Sequence, residues 1–182
     1  MDQTINKSFG MDEIENQIWR AFEEVRDEYR ILLGGKTGSN IGITKRIKEK
    51  VQLIGEKRDY EIRSSNYTQE WMFDLVWYRK NAVGDFERLI LALESEISSR
   101  DKHGLLKDFE KLLVSNADYR VMIALGKGSK RSSYPQIVNE QIEIFNQAFN
   151  ATQSIPIGAR VLILIWDDYD SDKIIPHLLI KK

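Results

Sequence analysis

Two apolar runs decide the reading of this chain: Trp71-Met72-Phe73-Asp74-Leu75-Val76-Trp77-Tyr78 and Leu89-Ile90-Leu91-Ala92-Leu93-Glu94-Ser95-Glu96-Ile97. Both are rich in aromatic and aliphatic residues, and the turn Asn81 to Asp85 lies between them, as expected for paired strands over 67–79 and 86–97. Each run carries acid where strands rarely tolerate it, because a buried carboxylate is costly unless paired or bound to a metal. Alternation along a strand puts Glu94 and Glu96 on one face. Asp74, Glu94 and Glu96 meeting in one place would make an oxygen site for Mg²⁺. Trp71, Phe73 and Trp77 are expected on one face, as core.

Outward from these strands, Asp12 to Leu33 has apolar residues at steps of three and four (Ile14, Ile18, Phe22, Val25), which predicts a helix stopped by Gly34-Gly35. Its acidic face, Glu15 included, is expected in solvent. Thr44 is expected to cap a second helix, ended by Gly55, with Ile47, Val51 and Ile54 inside. Lys45, Arg46, Lys48 and Lys50 on it are expected to form a solvated face. Tyr60 to Arg63 alternates like a strand. A third helix, capped by Ser99 or Asp101, buries Leu105, Leu106, Phe109, Leu112 and Leu113. Tyr119 to Leu125 is a continuous apolar strand of the kind buried on both faces. Pro135 sits near the start of a fourth helix, and Arg160 to Trp166 and Ile174 to Ile180 are the last strands. The order is α-α-β-β-β-α-β-α-β-β, a mixed α/β fold with a central sheet flanked by helices. Gly35-Lys36-Thr37 resembles the end of a phosphate-binding loop, but it follows a helix and Arg30 stands where the opening glycine belongs.

The bulk composition narrows the field. A chain of 182 residues, 42% hydrophobic and 30% charged, can build a full core. It has no cysteine, which excludes disulfides and thiolate zinc sites, and two histidines, too few for a His-rich metal centre. The polar opening Met1 to Gly10 does not read as a signal peptide, and Val161 to Trp166 is far short of a membrane span, so a cytoplasmic protein with no membrane partner is expected. A net charge of −1 gives no overall attraction to nucleic acid, leaving local basic patches to supply any.

A helix, a three-strand meander, a helix and a further strand, with Asp74 on the second strand and Glu94-Ser95-Glu96 on the third 20 residues later, resembles the restriction-endonuclease-like core of the PD-(D/E)xK phosphodiesterases. The resemblance divides a single domain over 1–182 into an N-terminal helix and loop (1–42), a nuclease-like core (43–125) and a C-terminal α-β-β extension (126–182). The chain also resembles small bacterial proteins of unassigned role that share Glu70-Trp71-Met72-Phe73-Asp74-Leu75, the Glu-Ser-Glu triplet and Asp108-Phe109-Glu110-Lys111-Leu112-Leu113. It departs from the family pattern in two places: Phe73 replaces the proline before the aspartate, and Glu96 replaces the lysine.

What the resemblance implies is a Mg²⁺- or Mn²⁺-dependent endonuclease-like enzyme, with DNA a better substrate than RNA, a role in restriction, defence or repair, and a homodimer as one assembly. Asp74, Glu94 and Glu96 would be the metal ligands, with Glu96 handling the attacking water. Lys102 or Lys111 would supply the missing cation, although helical arithmetic turns Lys111 away from the Leu105/Phe109/Leu112 stripe and towards solvent. Lys127, Lys130 and Arg131 would contact phosphates, and Glu49 or Glu56 could add a helix acid. Against this stand Asp74 and Glu94 as strand-end acids facing solvent or paired with arginines such as Arg63 or Arg88, and a catalytically inactive nuclease-fold binding or regulatory module.

Overall fold

The computed structural model describes residues 10–33, 40–67, 72–97, 102–126, 134–167 and 173–182. Among them, four helices, α1 (Glu13–Leu33), α2 (Asn40–Glu56), α3 (Lys102–Val114) and α4 (Tyr134–Ala151), flank a six-stranded mixed sheet. Its strands are β1 (Glu61–Ser64), β2 (Leu75–Lys80), β3 (Phe86–Glu96), β4 (Tyr119–Leu125), β5 (Arg160–Asp167) and β6 (Lys173–Ile180). All ten elements follow the expected order. The strands lie side by side as β1-β2-β3-β4-β5-β6. β1, β2 and β3 form an antiparallel meander, β3, β4 and β5 are parallel, and β6 returns antiparallel to β5. Parallel neighbours need a crossover, and α3 and α4 supply the two.

Both faces of the sheet are covered. Ile18, Phe22 and Val25 of α1 and Ile47 and Val51 of α2 pack on Leu75, Trp77, Leu91, Leu93, Val121 and Leu164. On the opposite face Phe109 and Leu112 of α3 and Phe145 of α4 pack on Val76, Ala92, Met122 and Ile163. The central strands are therefore buried on both sides, which explains why β4 and β5 read as unbroken apolar runs rather than alternating ones.

Several boundaries differ from expectation. β2 begins at Leu75, because Met72 adopts a left-handed φ of 61° and the chain bends through Asp74. That bend breaks the alternation: Phe73 packs with the α3/α4 layer and Trp77 with the α1/α2 layer, so they do not share a face. α2 starts at Asn40, ahead of Thr44, and runs through Gly55 to Glu56; the left-handed residue behind its end is Asp59, φ 57°. Asp12 and Glu15 form a capping box at α1, each accepting the other's backbone N–H at 3.0 Å. Glu15 is not on a solvated face: it is buried and takes Arg160 of β5, whose Nε donates at 2.9 Å. Trp71, Ser99, Asp101 and the loop with Lys127, Lys130 and Arg131 lie outside the described residues.

Candidate functional site

The site forms at one rim of the sheet, where β2 begins and β3 ends. Leu75 pairs with Leu93 across antiparallel strands, so the residue before Leu75 and the residue after Leu93, Asp74 and Glu94, come together. β2 has no extended backbone beyond Leu75 to accept the next N–H of β3. Asp74 takes that role: its Oδ2 accepts the Ser95 backbone N–H at 2.9 Å. Strand N–H groups point along the sheet, so this bond holds the Asp74 carboxylate in the sheet plane, between the two helix layers. Its other oxygen, Oδ1, faces α2. The Lys48 Nζ lies 3.2 Å from it and the Ser65 hydroxyl 3.1 Å.

Glu94 has a different setting. It pairs in register with Met122 of β4, a residue of the α3/α4 core, and Glu96 pairs with Ala124 of the same layer, so both glutamates lie on the α3 face. Glu94 is only 3% exposed. Its Oε1 forms an ion pair with the Lys111 Nζ at 2.6 Å, a close ionic contact that lacks good hydrogen-bond direction. Lys111 is also 2.9 Å from Asp108, one turn back on α3. Burial pushes the Glu94 carboxyl up to about 7; Asp74 and Asp108 add to the rise, and Lys111 holds it back. For Lys111, burial alone would pull the ammonium down, but Glu94 and Asp108 outweigh it and the net direction is up.

Arg120 holds α3 in place for this contact. Buried in β4, it donates from Nε to the Leu112 carbonyl at 3.1 Å and from its terminal nitrogen to the Ser115 carbonyl at 2.8 Å. Both carbonyls lie at the helix end, beside the turn that carries Lys111, and the Leu112 carbonyl also accepts from the Ser115 N–H and hydroxyl.

Several expectations change here. Asp74 and Glu94 are close, but their charged partners come from opposite faces of the sheet, Lys48 from α2 and Lys111 from α3. Glu96 does not join them as a third acid; among the described residues no group of three or more His, Asp or Glu side chains is placed to hold a metal ion. The partners of the two acids are Lys48 and Lys111. Arg88 pairs instead with Asp118. Lys111 does not stand free in solvent: its side chain is 32% exposed and its four-carbon stem carries the ammonium round to the rim. Lys102 opens α3, but its side chain lies outside the described residues. Neither helix acid reaches the rim, since Glu49 accepts from Tyr67 and Arg46 and Glu56 from Gln52.

Lys48 is the residue that sequence reasoning missed. It follows Ile47 on α2, next to the core stripe rather than opposite it, and that adjacency is the signal that could have found it. In type, the donors at the rim suit a hard divalent ion: two carboxylates on adjoining strand ends, with room in the ion's shell for water and phosphate oxygens. Comparison with protein-family models, curated proteins and solved structures finds no match to this chain.

Proposed function

We propose that this chain is a metal-dependent phosphodiester hydrolase of the restriction-endonuclease-like type, cutting nucleic acid, DNA in preference to RNA, in restriction, defence or repair. The observation that carries this reading is the Lys111 ammonium 2.6 Å from Glu94, at the rim shared with Asp74. An aspartate, a glutamate and a lysine thus meet although the strand itself offers no lysine. The helix, meander, helix and parallel strand around them support the same reading.

Asp74 and Glu94 would hold Mg²⁺ or Mn²⁺, which would supply Lewis-acid activation of water and charge compensation at the phosphate. Lys111 donates to a non-bridging phosphate oxygen. It stabilises the charge that grows there as the water oxygen bonds to phosphorus and the bond to the leaving ester oxygen breaks. Glu96, two residues along the same face and not a ligand of the ion, would take the proton that the water gives up through one bridging water, and the leaving oxygen gains its proton from solvent. Lys111→Ala should slow cleavage about a hundredfold or more, with partial activity in Lys111→Arg.

One observation favours a second reading. Asp74 and Glu94 each already hold a lysine ammonium, so neither carboxylate needs an added ion for a cationic partner, as a non-catalytic nuclease-fold binding module would have it. Intact nucleic acid after incubation of wild type with either ion would favour that module.

A further inference from the structure

We infer that Lys48 is a built-in cation held on Asp74 in competition with a divalent ion, a positioning residue that sets how readily the ion loads. The inference rests on the reading of Asp74 as a cation ligand.

Packing does not account for Lys48. Its side chain is 7% exposed, beside the core residues Ile47 and Val51, where methionine or leucine would fit without the cost of burying a charge. What explains the ammonium is its company. Nζ lies 2.7 Å from the Ser65 hydroxyl and 3.2 Å from Asp74 Oδ1, while Ser65 itself donates to Oδ1 at 3.1 Å.

The two oxygens of Asp74 are held in different ways. Oδ2 is fixed by a backbone N–H of β3 and cannot easily change partner. Oδ1 is given to an ammonium on a flexible stem, a point charge without strong directional demands. A divalent ion approaching Oδ1 meets that positive charge first. At protein-like dielectric, a unit charge a few ångströms away alters cation affinity by more than tenfold. Ser65 lets the ammonium give up Oδ1 and still keep a partner. Lys111 differs: it is more exposed and has Asp108 as a second acid to hold it when Glu94 turns to another ligand.

The test is calorimetric titration of the whole chain with Mn²⁺ alone, for wild type, Lys48→Met, Lys48→Gln and Lys48→Arg. Both neutral variants should bind Mn²⁺ about tenfold or more tightly than wild type, and Lys48→Arg should stay close to wild type. Loss of a merely structural contact would lower stability without raising affinity. If Lys48→Met does not fold, Lys48→Gln, which can still hydrogen-bond Ser65, decides alone. Equal or weaker binding in the neutral variants, or no Mn²⁺ binding in any protein, overturns the assignment. Cleavage is measured separately. Tighter Mn²⁺ binding in the neutral variants with no cleavage by wild type would keep Lys48 in this role and remove the hydrolase reading.

Discussion

Glu94 is the residue at which burial and charge conflict most sharply. Its carboxyl is displaced from an ordinary 4.5 to about 7, burial being the largest cause. A folded-state pKa above the unfolded one means that the folded chain binds the proton more tightly. The resulting stability is fully present below pH 4.5 and is lost as pH rises through 7. In buffer without divalent ions, wild type should therefore lose stability relative to Glu94→Gln between about pH 4.5 and about pH 8. Urea unfolding of both proteins across that window measures it. A stability difference that stays flat with pH would mean that Glu94 ionises as an exposed carboxylate does. The acids at the rim were legible in the sequence because acid inside an apolar strand stands out. Lys48 was not, and Lys111 came forward only through the family resemblance, because both sit on helices whose pattern shows which face is buried but not how far a long side chain reaches.

Among the elements, α2 links the core to the site, since it carries both Lys48 and the close approach to β2. Gly55 makes that approach. A Cβ there would lie 2.7 Å from the Trp77 ring, which is fully buried and stacked on Tyr60 with centroids 5.8 Å apart. Two effects oppose one another in Gly55→Ala. Helix propensity favours alanine by about 1 kcal/mol, while overpacking against a ring that cannot retreat costs about 1–3 kcal/mol. The clash should win, with a net loss of up to about 2 kcal/mol in urea unfolding; a stabilised variant would show that α2 can shift off β2. This glycine reads in the sequence as a helix stop, because only the tertiary neighbour reveals the other reason for a glycine. The start of β2 was hidden for a similar reason. Met72 is an ordinary strand residue by type, and its left-handed backbone follows from how the chain must turn to bring Asp74 to Ser95.

For the whole molecule, the order of all ten elements could be read because each helix shows its own period and the strands are short apolar runs between turns. The sheet follows from that order. Antiparallel neighbours come from short connections and parallel ones from helical crossovers, and the continuous runs of β4 and β5 mark the middle, buried on both faces. The fold then brings β2's first residues and β3's last to the same rim, with α2 on one side and α3 on the other. Sequence could locate the rim, but not the division of labour there, with Asp74 in the sheet plane and Glu94 on one face. That arrangement depends on a single bend before Leu75. The activity proposed for this rim is hydrolysis of phosphodiesters with a divalent ion. The most direct test incubates the intact protein with end-labelled single- and double-stranded DNA and RNA, in Mg²⁺ or Mn²⁺ and in EDTA, alongside Asp74→Ala. Cleavage that needs the ion, falls on DNA first and disappears in Asp74→Ala is the predicted result; intact substrates with either ion, or cutting that survives EDTA or Asp74→Ala, would contradict it.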